Sequence, residues 1–229
     1  VPQLLRALGV AEVIELNCTP DGKFPHNPEP LPEHLTSAAQ EVKHSKADLA
    51  VVVDPDVDRL CFISEDGSFF GEEYTLVAVA DYVLKHRKGN TVSNLSSTRA
   101  LRDVTEKAGG EYFASAVGEV NVVEKMKEVN AVIGGEGNGG IIFPELHYGR
   151  DALVGIALFL THLAKEKKIC SMLRENYPDY FIAKKKIELT PEVNIDDLMS
   201  KMKEKYKKQP INTIDGVKIE FDKEWVHLR

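Results

Sequence analysis

Two short runs of β-branched and aliphatic residues, Leu49–Val53 and Leu60–Ile63, flank the segment Asp54-Pro55-Asp56-Val57-Asp58-Arg59. No other stretch limits the fold so strongly. Each run has the length and composition of a buried strand, and three carboxylates at alternate positions stand between them. In an extended strand, at roughly 3.3 Å per residue, those carboxylates would lie about 7 and 13 Å apart, too far to share one ion. Brought together they repel unless a cation neutralises them. The backbone must therefore curl between two strands, and Pro55, with its fixed φ, helps it leave the first. All-oxygen ligation of this kind suits Mg²⁺ or Ca²⁺ and not zinc. Two other readings compete. A solvated acidic turn is the first, and the tight spacing sealed by Arg59 argues against it. The second is a helix–loop–helix calcium loop with Glu65 as its twelfth residue. That loop needs glycine at its sixth position, where this chain has Arg59, and helical flanks, where this chain has strand-like runs.

Around this unit the chain alternates short apolar strands with amphipathic helices, the pattern of an α/β protein. Leu4, Leu5 and Leu8 read as the tail of a helix stopped by Gly9, followed by a strand at Ala11–Leu16. The helix begins so abruptly that an upstream segment is expected. Thr19–Pro32 is a proline-rich loop and Glu33–Lys46 a helix. Glu65-Asp66-Gly67 closes a hairpin. Helices are predicted over Glu72–His86, over Thr98–Ala108 with Ser96 or Ser97 as cap, from Gly118, and over Asp151–Lys165. Strands are predicted at Thr91–Leu95, Glu111–Ser115, Ala131–Ile133 and Ile141–Phe143. After Tyr177-Pro178 the character changes to strands at Tyr180–Leu189 and Val217–Phe221 around a lysine-rich helix, Ile195–Tyr206. The lysines fit a solvated helix face better than a nucleic-acid patch.

Composition narrows the function classes. A net charge of −7 argues against nucleic acid as the main partner. No apolar run approaches the ~20 residues of a membrane span. Three cysteines, Cys18, Cys61 and Cys170, without a CxxC pair, favour a reducing cytoplasm and buried or inert thiols.

A second chemical stretch is Gly134-Gly135-Glu136-Gly137-Asn138-Gly139-Gly140. Its glycines let the backbone approach a ligand while Glu136 and Asn138 point at it, a pair suited to bridging vicinal sugar hydroxyls. A phosphate cradle is the alternative, but the stretch has no Gly-Lys-Ser/Thr ending and Glu136 would repel phosphate. A flexible hairpin is the plainer reading. A third stretch, Val117-Gly118-Glu119, puts an acid at a helix start, where the helix dipole alone would favour one.

In this order the three stretches resemble the α-D-phosphohexomutase family. Asp54–Arg59 is similar to its metal loop, usually Asp-Gly-Asp-Ala-Asp-Arg, with Pro55 and Val57 as departures. Gly135–Gly140 resembles its sugar loop, usually Gly-Glu-x-Ser-Gly-His, with Asn138 in the serine position and Gly140 in the histidine position. Pro20–Pro25 and Asn27-Pro28-Glu29 resemble its second-domain loop, and Asn212–Arg229 the opening of its fourth domain. The resemblance implies two tandem phosphohexomutase-type α/β domains with mixed sheets, at 1–69 and 70–178, followed by part of a small α+β domain at 179–229. It implies an intramolecular phosphotransferase working through an enzyme phosphoserine and a hexose 1,6-bisphosphate. Asp54, Asp56 and Asp58 would hold Mg²⁺, and Arg59 would take the transferring phosphoryl group. Glu136 and Asn138 would grip the sugar's 3- and 4-hydroxyls, and Gly118 and Glu119 would lie in the specificity loop. His147 or Arg150 would replace the histidine missing at Gly140. An acid at 119 points to glucosamine phosphate, with mannose and glucose phosphates as the alternative. The family's serine is not here: Pro25-His26-Asn27-Pro28 has proline where serine belongs. The partners implied are a hexose phosphate, a phosphoserine domain ahead of this chain and a phosphate-binding loop after it, without which the chain is expected to be inactive. A non-catalytic sugar-phosphate-binding module is the other reading.

Overall fold

The computed structural model describes residues 1–190 and 193–229. A short helix, α1 (Pro2–Ala7), and a 3-10 turn at Pro32–His34 precede α2 (Thr36–Ser45). The strands β1 (Leu49–Val53) and β2 (Leu60–Ser64) then pair antiparallel, Val53 opposite Leu60, so the acidic segment is the turn between them. Alternate side chains of β2 face opposite ways, as the pleat requires. Cys61 and Ile63 meet Leu35 and Val42 on one side. Leu60 and Phe62 enter a larger core on the other.

That larger core is shared. Its centre is α3 (Glu72–His86), buried continuously from Glu73 to Ala80. A helix apolar on all sides needs neighbours on all sides. It has β2 on one face and a second sheet on the other. The second sheet, in the order β4-β3-β5-β6, is built from β3 (Asn90–Asn94), β4 (Tyr112–Ser115), β5 (Ala131–Glu136) and β6 (Gly140–Ile142). The pairs β3–β4 and β3–β5 are parallel, crossing over through α4 (Ala100–Lys107) and α5 (Glu119–Glu128), and β5–β6 is antiparallel. The helix α6 (Ala152–Glu166) lies beside α3. Phe159 on α6 stacks on Phe62 of β2 with ring centroids 3.7 Å apart, while Phe70 meets both rings edge-on. Truncating Phe62 would cost about 3–5 kcal/mol, the usual loss for a buried aromatic. This trio joins the first sheet to the helices of the second and so fixes the distance between the two turns that carry the chemistry.

After α7 (Cys170–Arg174) and α8 (Ile195–Lys205), a three-stranded antiparallel sheet follows: β7 (Ile211–Asn212), β8 (Val217–Glu220) and β9 (Trp225–Leu228). The chain is thus α/β with mixed sheets and a small α+β tail. No helix among the described residues is long and apolar enough to cross a membrane.

Several expectations change. Ala11–Leu16 is irregular, with Ile14 and Leu16 nearly half exposed, because no other strand among the described residues pairs with it. Tyr180–Leu189 is irregular for the same reason, and Phe181 is fully exposed. The residue before α4 is Arg99, not a serine, and its side chain makes no cap. Cys18 is exposed, whereas Cys61 and Cys170 are buried.

Candidate functional site

The acidic turn is organised by its first residue. Buried Asp54 accepts from the main-chain N–H of Asp58 (3.1 Å) and of Arg59 (3.0 Å), which folds the backbone over its carboxylate. Val57 takes φ +60° to allow this, a left-handed conformation that a β-branched residue adopts only under strain, on the order of 1–3 kcal/mol. Its carbonyl receives the Ala152 N–H at 3.0 Å, so the turn is held by the first residue of α6. The result brings one oxygen each of Asp54, Asp56 and Asp58 within 4.8 Å of one another, a group that could hold a metal ion. Burial, opposed by Arg150 and reinforced by the Asp54 and Asp56 charges, pushes the Asp58 carboxyl up to about 6. Asp58 Oδ1 is buried without a hydrogen-bond partner. An orphaned carboxylate oxygen among crowded carboxylates fits a hard divalent cation. Arg59 flanks the cluster, its Nε 3.6 Å from Asp54 Oδ2, while its Nη1 donates to Glu29 Oε1 at 2.7 Å from the proline-rich loop.

The glycine-rich stretch is a tight hairpin, since β5 runs through Glu136 and β6 begins at Gly140. It is buried, and its glycines are there for space. A Cβ on Gly139, at φ +84°, would come within 2.0 Å of the Leu60 carbonyl oxygen, so this hairpin rests directly on the strand leaving the acidic turn. Glu136 is buried and fully engaged. Its Oε1 accepts from Asn94 Nδ2 (3.0 Å) and from the Gly118 N–H (3.2 Å), and its Oε2 accepts from Arg150 Nη1 (2.9 Å). Oε1 thus has both lone pairs engaged, and Oε2 keeps one further acceptor site for a hydroxyl. Asn138 Oδ1 accepts the Gly140 N–H.

Arg150 joins the two turns. One guanidinium bonds Asp58 and Glu136 together, its Nε lies 3.3 Å from Glu119 Oε2, and the main-chain N–H of Arg150 donates to Glu119 Oε1 at 3.0 Å. A side chain on Gly140 would meet Arg150 Cδ at 2.5 Å, so positions 140 and 150 compete for one space. His147 is placed differently. Half exposed, it pairs through Nε2 with Asp151 Oδ2 at 3.0 Å, beside the α6 N-cap and outside the carboxylate cluster. The structure therefore brings Asp54, Asp56, Asp58, Arg59, Glu136, Gly118, Glu119 and Arg150 together.

Sequence reasoning missed three residues. Asn94 ends a central parallel strand, the end at which α/β sheets place ligand groups, and that position was the available signal. Glu29 lay in a loop already singled out. Buried Glu73, beneath the hairpin, left no mark beyond its place at a helix start.

Fold and site together define an α/β protein in which a turn of three carboxylates is joined through Arg150 to a glycine-rich Glu/Asn hairpin. Residues 1–67 match the model of phosphoglucomutase/phosphomannomutase alpha/beta/alpha domain II, and residues 71–180 that of domain III. Over its whole length the chain is 34% identical to a probable phosphoglucosamine mutase of Methanopyrus kandleri, covering 51% of that protein. It is 37% identical to a phosphoglucomutase/phosphomannomutase of Thermococcus kodakarensis, covering 50%. The crystal structure of a phosphoglucomutase/phosphomannomutase family protein from Burkholderia thailandensis superposes with a TM-score of 0.75 at 29% identity, over 90% of this chain and 45% of that one. The chain belongs to the phosphoglucomutase/phosphomannomutase family. It spans about half the length of the curated relatives it matches.

Proposed function

We propose that this chain carries the metal and sugar centre of a hexose phosphate mutase, which moves a phosphoryl group between the 6- and 1-positions through an enzyme phosphoserine and a 1,6-bisphosphate. The observation that carries this reading is the Arg150 bridge between Asp58 of the metal turn and Glu136 of the sugar hairpin. The bridge supports the reading because a charge cluster able to face a phosphate and a carboxylate able to accept from a hydroxyl then share one site, as phosphoryl transfer by positioning and charge neutralisation requires. Asp54, Asp56 and Asp58 hold Mg²⁺, whose charge, when bound, offsets that of a phosphoserine oxygen. Arg59 donates to the transferring phosphoryl group. Glu136 and Asn138 take the 3- and 4-hydroxyls. Arg150 serves where the sugar loop usually ends in histidine, with His147 at the rim. The units proposed are 1–69, 70–178 and 179–229, the serine and the last phosphate-binding loop being supplied by other parts of a longer polypeptide.

The substrate we favour is glucosamine phosphate, its ammonium facing Glu119, in line with the name of the Methanopyrus relative. One observation favours mannose or glucose phosphate instead: Arg150 already occupies both Glu119 oxygens. The deciding experiment assays the full-length protein with Mg²⁺ on the 6-phosphates of glucosamine, mannose and glucose. Turnover is expected with the full-length protein and not with residues 1–229 alone, and turnover by residues 1–229 alone would contradict the division of labour. An unchanged preference for the amino sugar in Glu119→Gln removes Glu119 from the specificity reading.

A further inference from the structure

The carboxylate of Glu136 is reached from the C-terminal sheet by two separate hydrogen-bonded routes. In the first, Asp215, in the turn between β7 and β8, accepts the Val117 N–H at 3.1 Å through Oδ2. The next amide, Gly118 N–H, donates to Glu136 Oε1. Gly118 sits at φ +116° and ψ 138°, a conformation that residues with a Cβ avoid, so this peptide stays in place only where its neighbours hold it. In the second route, His227 on β9 directs Nε2 to the Asp215 carbonyl. A carbonyl only accepts, so Nε2 carries a proton, and Nδ1 is hydrogen-bonded with Ser96 Oγ, 2.8 Å away. The Ser96 N–H and the Ser97 hydroxyl both donate to Asn94 Oδ1, each at 3.0 Å. That fixes which way the Asn94 amide points and leaves Nδ2 to donate to the same Glu136 oxygen.

Both Glu136 Oε1 donors therefore belong to loops whose outer ends are held by one three-stranded sheet. That sheet is also pinned at its far corner. Arg102 forms two bonds to Glu220, and Arg99 donates to the Phe221, Asp222 and Glu224 carbonyls. These contacts fix the sheet on α4 and on the residue that precedes it, and nearer to Glu136 the sheet reaches the loops through Asp215 and His227.

We propose that the C-terminal sheet is a positioning element for the sugar-binding carboxylate, acting through Asp215 on the Val117–Gly118 peptide and through His227 on the Ser96–Asn94 loop. The proposal rests on the reading of Glu136 as the hydroxyl acceptor for its consequence in turnover, but not for its geometry. Two variants of the full-length protein, Asp215→Ala and Ser96→Ala, each cut one route without touching Glu136. Amide spectra of ¹⁵N-labelled protein are expected to show the Gly118 N–H shifted in Asp215→Ala and restored in Asp215→Asn, whose side-chain oxygen still accepts. In Ser96→Ala the Asn94 side-chain amide is expected to shift. In the mutase assay each variant should raise KM for the hexose phosphate roughly tenfold, the order of one lost hydrogen bond, with kcat changed far less. The proposal is overturned if the variants are folded and neither the Gly118 nor the Asn94 signal moves, or if KM stays at the wild-type value while those signals move. If Asp215→Ala loosens the whole sheet, the single hydroxyl removed in Ser96→Ala decides. Should the wild-type protein turn over no hexose phosphate, the proposed function falls and the amide signals alone still test the coupling.

Discussion

The acidic turn and the glycine-rich hairpin do the same architectural job by opposite means. Both are short reversals between antiparallel strands, and both present carboxylates to Arg150. The acidic turn contains no glycine. It places Val57 in a left-handed conformation, crowds three aspartates and leaves Asp58 Oδ1 without a partner. The glycine-rich hairpin is close-packed on Leu60, and both oxygens of its carboxylate are hydrogen-bonded. One region keeps unsatisfied charge that a cation relieves. The other has its contacts complete on folding and leaves only a spare lone pair for a ligand. Substitutions in the hairpin should therefore cost stability, and substitutions in the acidic turn should cost cation binding.

The largest effect is expected from Gly139→Ala. A methyl 2.0 Å from the Leu60 carbonyl oxygen, at φ +84°, has nowhere to go. Destabilisation of about 3 kcal/mol or more is expected, a drop in Tm on the order of 10 °C for a chain of this size. A thermal melt within a degree of wild type would show that the hairpin is looser than drawn.

Arg150→Ala comes next. It strands Asp58 and Glu136 as uncompensated, largely buried charges, at a cost of about 3 kcal/mol in denaturant unfolding. A loss below about 0.5 kcal/mol would mean that water, and not Arg150, balances the two turns.

Asp56→Asn separates binding from folding. Asp56 is exposed, so metal-free stability should change by no more than about 0.5 kcal/mol, whereas Mg²⁺ affinity measured by calorimetry should fall by about 100-fold. Equal Mg²⁺ binding by variant and wild type would remove this triad as the metal site.

The smallest effect concerns Glu73, buried under the hairpin with Oε1 where a side chain on Gly137 would lie. Burial, opposed by the Thr98 N–H and Lys184, pushes its carboxyl up from 4.5 to about 7. A raised carboxyl favours the folded state while protonated, so this contribution is full below about pH 4.5 and is lost as the pH rises to about 7. Glu73→Gln keeps an acceptor for the Thr98 N–H and cannot ionise. It should gain on the order of 1 kcal/mol over wild type at pH 8 and little at pH 5. Parallel Tm curves across that range would refute the buried charge.

Much of the fold was legible because periodicity records burial. The apolar runs of β2 and α3, each buried on opposite faces, come directly from which side chains avoid water. Ala11–Leu16 and Tyr180–Leu189 have the same local pattern, yet neither is a strand, because pairing depends on a distant partner that local sequence does not name. The site was legible in its type and not in its wiring. Asp54, Asp56, Asp58 and Glu136 stood out as chemistry in unusual spacing. Asn94 is an ordinary residue until folding sets it against Glu136, as are Asp215 and His227 until folding sets them on the loops beside it.

By itself the sequence determined that three carboxylates must curl between two strands and that a glycine-rich hairpin carries Glu136 and Asn138, since charge repulsion and backbone freedom are local properties. Only the tertiary structure decided that Arg150 and not His147 enters the cluster. That choice depends on the space left open at Gly140 and on Asp151 holding His147 at the start of α6, contacts that exist only once the sheets have closed on their shared helices.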